Sequence, residues 1–207
     1  MTRPDFDRVK LILICRIFVN RKTLSTYFEA MLIPFKGLFP ALGEDVFIAE
    51  NASVIGDVNI GSESNIWFGA VIRGDVNFVR IGSRTNIQDG CVLHVSLGKL
   101  SLNIGNEVTI GHNATVHGCT IEDRVLIGMG SVILDNSYVS TGSVIAAGAV
   151  VKEGFRVPPG VLIGGVPGKI IRDLTVAEIA GIVESSRHYV ELSKIYSGQS
   201  QLIQRQN

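Results

Sequence analysis

From Ile48 onward, apolar residues return every six positions, and this period limits the possible folds more than any other feature of the chain. The block-opening residues are Ile48, Val54, Ile60, Ile66, Ile72 and Phe78, then, after a slip in phase, Ile81, Ile87 and Leu93. Beyond a loop come Ile104, Ile110 and Val116. One residue is dropped, and the series continues through Ile121, Ile127, Ile133, Val139, Ile145, Val151, Val157 and Ile163. Small residues recur four positions after the apolar one, at Ala52, Ser64, Ala70, Thr85, Ala114, Thr120, Ser131 and Ala149. An α-helix repeats near 3.6 residues and a strand alternates every two, so neither sustains a six-residue period from Ile48 to Ile163. Six residues suit one short strand and a corner, and three such units close a triangular coil of about 18 residues. The apolar and small side chains then point inward and stack on their equivalents about 4.8 Å away in the next coil. Corners call for residues that tolerate positive φ, and Gly56-Asp57, Gly74-Asp75, Asp89-Gly90 and Asp135-Asn136 fit that need. The pattern predicts an all-β chain built as a parallel β-helix, with roughly seven coils between Ile48 and Gly168.

The β-helix is expected to occupy residues 31–172, and Pro158-Pro159 and Pro167 end its pattern. Residues 173–207 read as a C-terminal α-helix and tail. Thr175 and Glu178 form a capping box, with the side chain of each reaching the other's backbone N–H. Leu174, Ile179, Ile182, Val183, Val190, Leu192 and Ile195 supply an apolar face for packing along the coil stack, and the polar tail 197–207 is expected to fray. Residues 1–30 do not match the rest of the chain. Val9–Val19 is apolar but interrupted by Lys10 and Arg16, and it falls short of the roughly 20 residues needed to span a bilayer. It also lacks the unbroken apolar run and small-residue cleavage site of a secretory signal. An over-extended start, an added amphipathic segment and a targeting sequence all remain open readings of this extension.

The formal net charge is +0, and no basic block offers a surface for phosphate backbones, so nucleic acid is not an expected partner. No membrane association is expected either. The three cysteines are an odd, scattered set, which argues against a disulfide framework and for a reducing, cytoplasmic setting.

The chain has only four histidines, and His94, His112 and His117 fall together in Arg84–Cys119. Neutral imidazole is the commonest zinc ligand, and three of them leave one tetrahedral position open. His94 and His117 take the second position of their blocks and His112 the third. All three should therefore face outward, near one edge of the triangle. A site on an outer face is half enclosed, and side-by-side packing of chains as a trimer would close it. Iron or cobalt could occupy such a site as well as zinc. His188 reads as solvated surface.

RGDV (Arg73–Val76), TNIQDG (Thr85–Gly90), LHV (Leu93–Val95), GHNATVHGC (Gly111–Cys119) and IGMGS (Ile127–Ser131) resemble the gamma-class carbonic anhydrases and their bacterial relatives. The resemblance covers about Leu32 to Tyr196. It implies that the β-helix is left-handed and assembles as a homotrimer, with three zinc sites between subunits. His94 and His117 of one subunit and His112 of its neighbour would bind the metal. Gln88 matches the residue that hydrogen-bonds the metal's water or bicarbonate, and Asn86 matches one that positions CO2. Tyr189 matches, loosely, a residue that reaches the site. Arg73, Asp75 and Asp89 match an intersubunit ion-pair network, although Arg73-Gly74-Asp75 alone also reads as a polar corner. The implied reaction is reversible hydration of CO2 to bicarbonate by a metal-bound hydroxide. The family's proton-transfer glutamates are missing here: Val76 stands after the RxD motif, and the loop Ser96–Ser101 is short and carries Lys99. Low activity is one consequence. The segment Gly164–Lys169 resembles one that closes coil stacks of hexapeptide acyltransferases, so an acyltransferase is an alternative. A non-catalytic, metal-stabilised scaffold is another.

Overall fold

The computed structural model describes residues 31–206, with side chains placed as far as Gly198. The extension 1–30, with its three readings, lies outside the described residues. Short parallel strands stack in coils around three faces. One face is built from Phe47–Ile48, Asn65–Ile66, Asn86–Ile87, Thr109–Ile110, Leu126–Ile127, Val144–Ile145 and Val161–Gly164, with Lys169–Asp173 added antiparallel at the end. A second face carries His94 and His117 and stacks the strands of Val92–His94, Thr115–His117, Val132–Ile133 and Val150–Val151 on the first part of Val71–Ile81. The third runs from Ala41–Leu42 through the last parts of Ser53–Ile60 and Val71–Ile81 to Leu102–Ile104, Thr120–Ile121, Tyr138–Val139 and Arg156–Val157. This is the parallel β-helix that the six-residue period predicts.

The inward column matches the repeat. Val54, Ile66, Ile72, Ile87, Leu93, Ile110, Val116, Ile127, Ile133, Val139, Ile145, Val151 and Ile163 are fully buried. Removing such side chains from water drives the folding of a chain whose strands are mostly two residues long. Ile48 at the start of the series is only partly buried, and Phe78 departs further. Three extra residues between Val58 and its partner Val79 bulge the long strand, so Val79 takes the inward place. Phe78 turns out to solvent beneath the Arg80 guanidinium, 4.6 Å from its ring centroid.

One of the four expected corners also differs. Gly56, Gly90 and Asn136 do have positive φ, but Gly74 does not. A Cβ on Gly74 would lie 2.5 Å from the Asp57 carbonyl oxygen, so close coil-to-coil approach is what requires glycine there. Several corners instead place charged residues in the left-handed region: Asp45, Glu63, Arg84, Glu107 and Arg124. They lie one coil apart and partly neutralise one another, as Arg84 and Glu107 do at 3.2 Å.

Helix α1 spans Val176–Gln206. The capping box forms as read: Thr175 N donates to Glu178 Oε2 at 2.9 Å, and Glu178 N donates to Thr175 Oγ1 at 3.3 Å. The helix lies along the first face. Its buried stripe is Ile182, Ser186, Val190 and Ser193, whereas Ile195 is exposed. The two serines satisfy themselves by donating to the carbonyls of Arg84 (2.6 Å) and Val190 (2.9 Å), and their small size lets the helix sit close. An aromatic cluster completes the docking. Trp67 packs against Phe47 (5.2 Å), Tyr189 (5.6 Å) and Tyr196 (5.2 Å), and its indole N–H donates to Asn65 Oδ1. No helix among the described residues is long and apolar enough to cross a membrane.

Candidate metal centre

His94 and His117 are register partners on adjacent strands of the second face, so their rings emerge one above the other. His94 Nδ1 and His117 Nε2 stand 3.1 Å apart. The opposite nitrogen of each ring meets a carboxylate: His94 Nε2 is 3.0 Å from Asp75 Oδ1, and His117 Nδ1 contacts Asp135 Oδ1. Burial opposes the charge on both aspartates. Hydrogen bonds from His94 and Arg73 at Asp75, and from His117 and Ser96 at Asp135, outweigh it and hold both carboxyls below their ordinary pKa. An ionised carboxylate only accepts, so each ring carries its proton on the nitrogen facing the aspartate. With both rings neutral, His94 Nδ1 and His117 Nε2 face each other as acceptors. At 3.1 Å two such nitrogens are held together either by a proton shared between them or by a cation that both ligate. Two ligands of a tetrahedral zinc ion at about 2.0–2.1 Å stand roughly 3.3 Å apart, so the donor pair fits such an ion.

His112 is placed differently. It occupies the corner between Thr109–Ile110 and Thr115–His117, whereas the His94–His117 pair sits at the far end of the same face. The expectation that all three rings share one edge of the triangle is therefore corrected to two neighbouring corners. The cause is the six-residue spacing: residues 112 and 117 belong to opposite ends of one strand unit. Among the described residues, no three His, Cys, Asp or Glu side chains of one chain come together as a metal-binding group. His112 nevertheless repeats the same pairing, its Nδ1 lying 2.8 Å from Asp89 Oδ2.

The remaining candidates divide between these corners. Arg73 contacts Asp75 at 2.5 Å beside His94. Gln88, Asn86, Asp89 and Tyr189 belong to the His112 corner. Gln88 is nearly fully buried. Its Oε1 accepts from the backbone N of His112 (3.1 Å), and its Nε2 donates to Asn86 Oδ1 (3.1 Å). Asn86 Nδ2 donates to Thr109 Oγ1 at 2.8 Å, and Thr109 Oγ1 meets Ser185 Oγ of helix α1 at 3.1 Å. Gln88 is thus part of a brace that runs from the helix to the backbone of His112. Tyr189 packs edge-on to Trp67, and burial together with the charge of Asp89 raises its pKa. His188 lies on the exposed side of the helix, its ring 5.8 Å from that of Tyr189.

Asp135 was legible only as a corner residue, yet it touches a candidate ligand. The available signal is spacing: Asp135 follows His117 by 18 residues, one coil further on. The buried thiols play no part. Burial pushes Cys91 up to about 11 and Cys119 up to about 12, so neither supplies a thiolate near neutral pH.

A family model described as bacterial transferase hexapeptide (six repeats) matches residues 40–74 and 102–135. A carbonic anhydrase of Geobacillus kaustophilus is 43% identical over 171 residues, which cover 83% of this chain and 93% of that protein. Gamma carbonic anhydrase 2, mitochondrial, of Arabidopsis thaliana is 45% identical over 166 residues, covering 78% of this chain. This chain belongs to the gamma carbonic anhydrase family. It spans 60% of the length of the Arabidopsis family member. A solved structure of a hexapeptide transferase family protein from Anaplasma phagocytophilum superposes with a TM-score of 0.77 at 40% identity, covering 80% of this chain and 98% of that one. His94 and His117 thus stand at one corner and His112 at another, each ring against a carboxylate.

Proposed function

We propose that this chain catalyses the reversible hydration of CO2 to bicarbonate as a cytoplasmic homotrimer. Each metal site would take His94 and His117 from one subunit and His112 from its neighbour. The observation that carries this reading is the facing pair of ring nitrogens, His94 Nδ1 and His117 Nε2, 3.1 Å apart, with Asp75 and Asp135 against the opposite nitrogen of each ring. Zinc suits three neutral imidazoles, and Fe2+ or Co2+ suit them as well. When bound, such an ion supplies a Lewis acid that brings the pKa of water down to about 7. The chain's own residues set the geometry around it. Asp75, Asp135 and Asp89 fix the ring orientations, and the carboxylate partners raise the basicity of the imidazoles. The brace of Asn86 and Gln88 holds His112 at its corner, and the second amide N–H of Gln88 remains to orient water or bicarbonate. Arg73, with Asp75 and Asp89, lies where a neighbouring subunit would be met. Tyr189 stays neutral beside Asp89 and lines the same corner. Proton release is left to buffer, because Val76 is packed against the core and the turn Ser96–Leu100 carries no acid.

The transferase name of the Anaplasma structure keeps an acyltransferase as the second reading. Metal content per chain, measured after anaerobic purification, together with a CO2-hydration assay, separates the readings. Expected are one metal ion per chain and hydration that is lost in His112→Ala. A metal-free chain favours the acyltransferase. A loaded oligomer with no hydration above His112→Ala favours the scaffold.

A further inference from the structure

The carboxylate behind His117 has a second partner. Asp135 Oδ1 contacts His117 Nδ1, and Asp135 Oδ2 accepts from Ser96 Oγ at 2.6 Å. Ser96 begins the turn that interrupts the second face just after His94 and Val95. Its own backbone closes that turn, with Ser96 N donating to Leu100 O at 3.0 Å. At the tip, Leu97 is three-quarters exposed and Gly98 has positive φ. Apart from the Ser96–Leu100 closure, the turn is tied to the coil below by long contacts: Asn77 Nδ2 to Ser96 O and Gly98 N to Val76 O, each at 3.5 Å. The short, charge-assisted bond to Asp135 is therefore its firmest link to the body of the protein. The space around that carboxylate is closed as well. A Cβ on Gly118 would stand 2.6 Å from Asp135 Oδ1, and Gly118 N is already committed to His94 O at 3.0 Å.

We propose that Asp135 is a positioning residue that couples metal binding at His117 to the placement of the Ser96–Leu100 turn. One carboxylate orients the His117 ring through one oxygen and anchors the turn through the other, so the two equilibria are linked. An ion that draws on the His117 lone pair makes the ring a stronger donor to Asp135, and that fixes the carboxylate to which Ser96 is bound. Linkage is reciprocal: releasing the turn weakens metal binding, and removing the metal loosens the turn. This inference rests on the metal-centre reading proposed for His94, His117 and His112.

The test combines equilibrium zinc affinity, measured by chelator competition on the assembled full chain, with hydrogen exchange of the 96–101 segment with and without zinc. Asp135→Asn keeps the size and one acceptor, and should weaken zinc about 10–100-fold. Ser96→Ala should weaken zinc by a smaller factor and abolish the zinc-dependent protection of 96–101. Ser96→Thr, which retains the hydroxyl, should restore both. Circular dichroism and oligomer size identify any variant that fails to fold, and Ser96→Ala at an exposed turn serves if Asp135→Asn does not fold. Zinc affinity of Asp135→Asn within twofold of the parent, or zinc-dependent protection unchanged in Ser96→Ala, overturns the coupling while leaving the metal centre intact. A parent protein that binds no zinc, iron or cobalt overturns the metal-centre reading itself.

Discussion

At the scale of single residues, the recurring device is an aspartate behind each histidine: Asp75 behind His94, Asp135 behind His117 and Asp89 behind His112. The pairings select the tautomer, and the tautomer decides which nitrogen is available as a ligand. Asp89→Asn is therefore expected to lower zinc affinity about 10–100-fold without moving the midpoint of thermal unfolding of the metal-free chain. Chelator competition and a melting curve on the same preparation check this, and an unchanged affinity would remove the support for His112 as a ligand. The three histidines could be read from the sequence because their residue type is scarce and chemically distinctive. Asp135 could not, because beside the positive-φ Asn136 it reads as part of a corner, and its contact is made one full coil later. Gln88 shows the same limit. Its type marked it as a hydrogen-bonding residue, but its partners, Asn86 and the backbone of His112, come from the coil stacking.

At the scale of elements, the coil stack followed from the repeat because an inward position fixes itself once every six residues. The places where the period breaks were less legible. Phe78 fell on the six-residue count, yet the three-residue bulge put Val79 inside. Helix α1 was recognisable from its capping box, but its buried stripe includes Ser186 and Ser193, which no apolar pattern marks. Ser186→Ala leaves the Arg84 carbonyl without its donor and should cost about 1 kcal/mol in urea unfolding. The helix start also carries a pH signature. Hydrogen bonds from Arg172, then from the Thr175 backbone and side chain, lower the pKa of Glu178 from 4.5 to about 2. A depressed folded-state pKa stabilises the fold fully above 4.5, and that stabilisation is lost as pH falls through about 2. The gap in melting temperature between the parent and Glu178→Gln should be present at pH 7 and shrink between pH 4.5 and 2. A gap that does not change with pH would show that the carboxylate charge plays no part in anchoring the helix.

At the scale of the whole molecule, the candidate ligands fall on two neighbouring corners of a single face. The sequence spacing already required outward-facing histidines, but it placed all three near one edge. The coil geometry separates His112 from the His94–His117 pair, and this supports the proposal that a second subunit completes a three-histidine site. The central claim is that the site is shared between chains, and mixing two inactive variants tests it most directly. His112→Ala keeps the His94–His117 pair, and His117→Ala keeps His112. Each alone should be inactive in CO2 hydration. Co-expressed at equal levels, they should regain activity, because with random assembly about a quarter of interfaces pair an intact His94–His117 corner with an intact His112. Mixed oligomers that assemble, as seen by mass, yet show no hydration above either parent variant would contradict the shared site.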